Sequence, residues 1–379
     1  MAGVVNRAKL DDPVTSAILR ISEDGLAGFV ERPFAEIANR SGLTEDLVLE
    51  RVRMLLESGV VRRVRLTLST QNLASGALVA WQVPQDDLHA AFDHLFERDP
   101  FSGHVVIRST DGALRGSSFR LWTTVKVPQG YSLGRHVETL AGRIGATGYR
   151  IMPARCLFAL GVGHMRRREL LPGSRAETIA APAFPMLTKL SESEWQVLAV
   201  VKEPLALDEI VELPWEARAA RFGLDWDALR PAVERLAKRG LFGRFSTFLE
   251  HVKPLSTGER VTRYNALFHW AVEPGTEVAA GSEVGRHHII THAYWREGGP
   301  EFGNVNVMAV AHGTDKDAVL DHKTAIDAHL AETGIKVSYT AVFWGGRSEI
   351  KPSEVLPSAY ADWCRSEGID PEVMREEGE

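Results

Sequence analysis

The residues best equipped for chemistry gather in two short runs of alternating character. The first is His104-Val105-Val106-Ile107-Arg108, followed by Phe119-Arg120-Leu121-Trp122. The second is His292-Ala293-Tyr294-Trp295-Arg296, followed by Asn304-Val305-Asn306-Val307-Met308. On a β-strand, positions i and i+4 face the same way, so each histidine shares a face with its arginine, and Tyr294 joins the second pair. An imidazole, a phenol and a guanidinium on one sheet face suit a planar, anionic ligand. Arginine grips carboxylates bidentately, and histidine moves protons near neutral pH or ligates iron. For any single such pair, a surface His and Arg on a solvated face is the favoured reading. Recurrence at matching places in both halves singles these out, although a duplication alone also produces recurrence.

The elements needed to hold these runs can be read on either side of them. From Asp11 to about Arg63 the apolar spacing is helical, with Ser41-Gly42-Leu43-Thr44 forming a turn and N-cap before a third helix that Gly59 stops. Three short helices with a tight turn give a helix-turn-helix outline, and Val60 to Ser69 alternates as a wing strand. Strands are expected at Gly76–Val83, Gly103–Arg108 and Phe119–Val127, and helices at Asp86–Glu97 and Val137–Ile144. Ala154–Val162 is expected to close the sheet in a ferredoxin-like β-α-β-β-α-β order. Periodicity is lost through Pro172, Gly173, Pro182 and Pro185, which marks a linker.

The order then restarts. Ser191 and Glu194 suit a capping box, Lys238-Arg239-Gly240 matches Glu57-Ser58-Gly59, and Leu241–Leu249 repeats the wing. Ala266 to Val272 lines up with Ala77 to Val83, and Ile289–Arg296, Val305–Ala311, a helix over Lys316–Glu332 and Lys336–Phe343 complete a second module. The fold class expected is therefore α+β, a tandem duplication of winged helix-turn-helix plus ferredoxin-like module. The boundaries are 11–70 and 71–170 for the first pair, a linker over 171–188, 189–250 and 251–350 for the second pair, and an acidic tail over 351–379 with one short helix near Tyr360–Arg365.

Composition narrows the function classes. The 379 residues are 44% hydrophobic and 25% charged with a net charge of -6, which fits several globular domains and offers no overall attraction for polyanions. Two cysteines, Cys156 and Cys364, exclude a disulfide framework and a cysteine-ligated zinc or iron–sulfur cluster. No signal peptide is evident and no run approaches the ~18 apolar residues of a spanning helix, so a cytoplasmic protein without membrane contact is expected. Walker, Rossmann and nucleophile-elbow motifs are missing, which leaves no nucleotide cofactor. The third helices of the two winged segments open on Thr44-Glu45-Asp46 and Asp225-Trp226-Asp227, whose carboxylates repel a DNA backbone, and Pro231 should kink or shorten the second. Scaffolding or dimer packing is preferred over DNA binding, with Arg62-Arg63-Arg65 as the opposing evidence. His287, His288, His292 and His312 have metal-compatible spacing without the carboxylates of a dedicated zinc site. His164 with Arg166-Arg167-Arg168 is a basic cluster read as a solvated terminus, the alternative being an entrance patch for a polycarboxylate. Trp81, Trp122 and Trp270 sit in alternating strands and suit a core.

Winged helix plus ferredoxin-like module resembles the Lrp/AsnC architecture. More specifically, the strand Ala77–Pro84, the run Ile290-Thr291-His292-Ala293-Tyr294-Trp295-Arg296 and the run Val307-Met308-Ala309-Val310-Ala311-His312-Gly313 resemble siroheme decarboxylases, over nearly the whole chain to about residue 350. In that family two such units pair, as subunits or as a fusion, which implies an intramolecular pseudo-dimer here and is compatible with a homodimer. The resemblance implies removal of two acetate carboxyls of siroheme as CO2, with the iron tetrapyrrole as substrate and no redox cofactor. It implies His292 and His104 as proton donors or iron-side ligands and Tyr294 as an orienting group. Arg296 and Arg108 would be carboxylate holders, with His312, Trp122 and Asn306 as further tetrapyrrole contacts and His292 or His288 as the iron ligand. The sequence departs from the family pattern at Val106, where tyrosine is expected, at Ala293, and at Ala159 and Trp344, where basic residues are expected. A heme-binding enzyme of another reaction and an Lrp/AsnC-type ligand-sensing regulator are the alternatives.

Overall fold

The computed structural model describes residues 9–161, 163, 170–250, 253–255, 258 and 260–376. The basic cluster His164 and Arg166–Arg168 lies outside the described residues. In chain order, the first winged segment runs α1 (Pro13–Ser22), β1 (Leu26–Ala27), α2 (Pro33–Ser41), α3 (Glu45–Glu57) and β2 (Val61–Leu68). The first module follows as β3 (Ala74–Gln82), α4 (Leu88–Glu97), β4 (Ser102–Ser109), β5 (Leu121–Pro128), α5 (Leu133–Arg143), β6 (Gly148–Pro153) and β7 (Cys156–Leu160). The second winged segment is α6 (Glu192–Val201), α7 (Pro214–Arg221), α8 (Trp226–Lys238) and β8 (Phe242–Leu249). The second module is β9 (Tyr264–Val272), α9 (Glu277–Gly285), β10 (Ile290–Trp295), β11 (Val307–Gly313), α10 (Lys316–Glu332) and β12 (Val337–Ile350), followed by α11 (Pro357–Ser366) and a 3-10 turn over Pro371–Met374.

These elements sort into two units, one built from both winged segments and one from both modules. In the first unit the local signals act as expected. Thr44 Oγ1 accepts from Leu47 N at 3.4 Å, and Ser191 with Glu194 forms a capping box. Gly59 and Gly240 both take φ near +70°, the left-handed turn that releases each third helix into its wing. The two wings share one sheet, in the order β1-β8-β2. Lodging β8 between the strands of the first segment pairs both of its edges, and a buried contact of Ser22 Oγ with Thr247 Oγ1 at 2.6 Å fastens the same seam. Pro231 is accommodated inside α8, which runs unbroken over 13 residues; the expected shortening does not occur.

In the second unit the strand order among the described residues is β6-β3-β5-β4-β12-β9-β11-β10-β7. Each module contributes the ferredoxin-like order, fourth strand, first, third, second: β6-β3-β5-β4 and then β12-β9-β11-β10. The modules join where β4 pairs antiparallel with β12, Arg108 opposite Gly345. The closing strand of the first module is Gly148–Pro153, not the expected Ala154–Val162. The latter region supplies β7, which crosses over and pairs with β10 of the second module. The register alternates two cores. Ala266, Phe268 and Trp270 of β9 pack with the helices of the second module, while Leu267 and Ala271 face the other way. There they meet Ala80, Trp122 and Met152 of the first module in one buried cluster with Met308 and Phe343.

Residues 170–188 are irregular and lie with this unit, bridged at Leu157–Ala183 and Arg175–His287. The acidic C-terminal segment packs against the first module. Tyr360, Trp363, Cys364 and Met374 join its buried core, the Tyr360 hydroxyl lies 3.1 Å from His136 Nδ1, and Trp363 donates to the Arg98 carbonyl at 3.2 Å.

Candidate active site

Strand β10 sets the geometry. His292 pairs opposite Val310 and Tyr294 opposite Met308, so His292, Tyr294 and Arg296 come out on the face shared with Met308. The His292 and Tyr294 rings are stacked with centroids 6.3 Å apart and planes 15° from parallel. The Arg296 guanidinium lies over the Tyr294 ring, 4.4 Å from its centre, and donates to the Met152 carbonyl of β6. Burial pushes the Tyr294 phenol above its ordinary range, opposed by the cation of Arg296, and burial also lowers Arg296.

A β-bulge lies one residue upstream. Ile290 pairs with Ala311 and His292 with Val310, so Thr291 is the extra residue on β10. Bulges re-aim side chains at such places. Here Thr291 Oγ1 donates to the Val310 carbonyl at 3.0 Å and lies 3.1 Å from His292 Nδ1 and 3.3 Å from His312 Nδ1. His312, near the end of β11, has its Nε2 3.1 Å from Asn265 Nδ2, and Asn265 Oδ1 accepts from Arg108 Nη1 at 3.2 Å. Arg108 of the first module and His292 of the second are thus joined through Asn265, His312 and Thr291.

Arg108 is 5% exposed and Arg296 is 8% exposed. Among the described residues neither has a carboxylate partner. The acceptors of Arg108 are Asn265 Oδ1 and the Phe343 carbonyl at 3.2 Å, and its Nε is unpartnered. Burial holds the Arg108 guanidinium down to about 9. A buried cation satisfied only by neutral oxygens is an incomplete ion pair, and an anion completes it.

His269 of β9 was not anticipated. It is fully buried among Phe343, Trp122 and Phe302, with ring centroids at 4.8, 6.0 and 6.2 Å, and neither ring nitrogen is hydrogen-bonded. Burial, and then the charge of Arg108, lower it to about 3. The signal was present in the aligned strands: His269 stands where the first half has Ala80.

Against known families, residues 16–62 match the siroheme decarboxylase NirDL-like HTH domain and residues 73–159 match the AsnC-like ligand binding domain. The siroheme decarboxylase of Hydrogenobacter thermophilus is 24% identical over 304 residues, which are 80% of this chain and 84% of that protein. The alpha subunit of the siroheme decarboxylase of Desulfovibrio desulfuricans is 32% identical over 136 residues, 35% of this chain and 71% of that subunit. This chain belongs to the siroheme decarboxylase family. Its fold is also that of the crystal structure of the siroheme decarboxylase NirDL in co-complex with an iron-uroporphyrin III analogue. That likeness has a TM-score of 0.61 at 21% identity, covering 90% of this chain and 94% of that one.

Within this siroheme decarboxylase family member the remaining expected site residues separate from the cluster. Trp122 is sealed in the core, where its indole donates to the Phe119 carbonyl at 2.7 Å and its ring meets Phe302 and Phe343, so no face is left for a ligand. Asn306 is also turned to a structural use: its side chain accepts from Val272 N at 2.9 Å and donates to Val272 O at 3.0 Å and Glu277 Oε1 at 3.2 Å. His104 lies with Ser348 Oγ 2.8 Å from its Nε2, about 13 Å along β4 from Arg108 at strand spacing. His288 is exposed and precedes β10, with its backbone N–H bonded to the Ser174 carbonyl. No group of three metal-ligating side chains occurs among the described residues. No described helix is long and apolar enough to cross a membrane.

Proposed function

We propose that this chain is a siroheme decarboxylase, a carboxy-lyase that removes acetate carboxyl groups from an iron tetrapyrrole on the pathway to heme or heme d1. The observation that carries the reading is the pair of buried arginines, Arg108 and Arg296, without carboxylate partners among the described residues, beside His292 and Tyr294 on one sheet face. A polycarboxylate substrate supplies what those guanidinia lack. Arg296 holds one carboxylate, and Tyr294, kept protonated by burial, offers it a hydrogen bond. Loss of CO2 breaks the bond between the carboxyl carbon and the side-chain methylene. The electron pair remains on the methylene carbon, delocalised into the macrocycle, and one proton must reach that carbon to leave a methyl group. His292, on the same face, is the donor, because an imidazolium delivers a proton near neutral pH. With His292 as the acid, a ligand to the substrate's iron would come from His104 on the sheet face, while His288 stands outside the strand. The nine-stranded sheet makes the two modules an intramolecular pseudo-dimer with the second half carrying the main cluster.

The test is anaerobic incubation of the full chain with siroheme, followed by absorption spectra and mass analysis of the tetrapyrrole. Loss of CO2 mass from wild type, and its absence in Arg296→Ala, is expected. A bound-tetrapyrrole spectrum with unchanged mass would overturn the decarboxylase assignment and leave a heme-type binding protein. No spectrum together with salt-sensitive DNA binding would point to a regulator.

A further inference from the structure

The hydrogen bonds joining Arg108 to His292 have a direction that is fixed at both ends. A guanidinium only donates, so the Asn265 atom facing Arg108 must be the carbonyl oxygen Oδ1, and its amide nitrogen must face His312. That amide donates to His312 Nε2, so in the neutral ring the proton sits on Nδ1, directed at Thr291 Oγ1. At the other end the Val310 carbonyl only accepts, so it takes the single hydroxyl proton of Thr291. The two remaining lone pairs of Thr291 Oγ1 then accept from His312 Nδ1–H and from His292 Nδ1–H. The hydroxyl is fully buried, and its bonding capacity is filled by these three partners.

We infer that Asn265 and Thr291 are positioning residues that set both site histidines as Nδ1–H tautomers, so that His292 exchanges its proton through Nε2. Resting on the decarboxylase reading, this gives the first half of the chain a defined part in the reaction. Arg108 orients Asn265, and the orientation passes through His312 and Thr291 to the acid. After His292 gives up its Nε2 proton, the neutral ring is already in the tautomer that the chain holds, so the site resets without a ring flip. The bulge at Thr291 makes this possible, because without the extra residue Thr291 would point to the opposite face.

The experiment uses the full chain labelled with 15N-histidine, and long-range proton–nitrogen spectra report which ring nitrogen carries the proton. Signals are assigned with His292→Gln and His312→Gln. Wild type should show Nδ1–H for both rings when neutral. Thr291→Val removes the acceptor and should shift His292 toward Nε2–H, while the Asn265 amide still holds His312 as Nδ1–H. It should also lower kcat on the order of tenfold to a hundredfold with KM little changed, the usual scale for partners of a functional histidine. Thr291→Ser should restore both readouts. Asn265→Asp, whose carboxylate only accepts, should invert His312 to Nε2–H while His292 keeps its tautomer. This second variant stands if Thr291→Val does not fold. Nε2–H rings in wild type, or an unchanged His312 tautomer in Asn265→Asp, would overturn the inference. Because the spectra need no turnover, a wild type that holds the tautomers yet leaves siroheme intact would refute the decarboxylase reading alone.

Discussion

Replacing Arg108 by Met tests whether a buried cation is kept for binding or for folding. Burial lowers Arg108 from the ordinary guanidinium range to about 9, a penalty on the charged form of about 5 kcal/mol. At neutral pH the guanidinium is charged in both the folded and the unfolded chain, so the whole penalty acts against folding. It is relieved only as pH climbs above about 9, where the unfolded chain binds the extra proton and stability rises with pH. Against it stand the hydrogen bonds to Asn265 Oδ1 and the Phe343 carbonyl, together worth about 2 to 3 kcal/mol. Arg108→Met fills similar volume and should stabilise the unliganded protein by about 2 kcal/mol, a gain of about 5 °C in Tm. The same change removes a charge that an anionic substrate would meet. Affinity for an iron tetrapyrrole carrying carboxylates should fall by about 2 to 3 kcal/mol, or about 30- to 150-fold in Kd. Thermal melts and anaerobic absorbance titrations measure the two effects separately. The stability gain should shrink when the melts are repeated near pH 10. A variant that melts lower than wild type and binds tetrapyrrole as tightly would refute the reasoning, by showing that the guanidinium serves the fold.

Other outcomes follow from the same physics. His269 and His287 are lowered by burial to about 3 and about 4, below their unfolded value of 6.5, so acid drives protons onto the unfolded chain first. Stability is full above about pH 6.5 and declines below it, each histidine costing about 2 kcal/mol at pH 5, and His269→Leu should lose correspondingly less Tm between pH 7 and 5. An equal loss in variant and wild type would sink this assignment. Asn306→Ala should cost about 2 to 3 kcal/mol in denaturant unfolding by releasing its bonds to Val272 and Glu277. Tetrapyrrole affinity should not move, and a large change in Kd would restore Asn306 to the site. Tyr360→Ala should cost about 3 to 5 kcal/mol, because the ring is fully buried against Tyr131 and Phe101 at 4.3 and 4.7 Å; an unaltered melt would show the C-terminal helix to be dispensable.

What could be read from the residues alone depended on how local the cause was. The face shared by His292, Tyr294 and Arg296 follows from strand alternation within five residues, and so was legible. The capping box at Ser191 and the helix Lys316–Glu332 were legible for the same reason. Features set by pairing between distant segments were not. The bulge at Thr291 depends on the register of β10 against β11, and the course of β7 depends on which exposed edge Cys156–Leu160 meets. Helix α9 escaped notice because Gly281 and Gly285 interrupt its apolar spacing. Both are needed where the helix presses on Phe158, since a Cβ at Gly281 would lie 2.0 Å from that ring. The C-terminal segment's acidic composition masked Tyr360, Trp363 and Cys364, whose spacing marks one buried helix face.

The crossing of β7 onto β10, together with the seam between β4 and β12, bears on how the protein behaves on dilution. Where such halves are separate molecules, their union weakens as concentration falls, and their supply must be matched. Here the covalent connection makes every pairing event intramolecular, at an effective concentration fixed by the chain itself. The seam within one chain therefore needs no matched supply of two separate subunits. Divergence between the halves is then tolerable, because neither has to pair with a copy of itself. The first carries Val106 where the second has Tyr294, yet its Arg108 donates to Asn265 of the second.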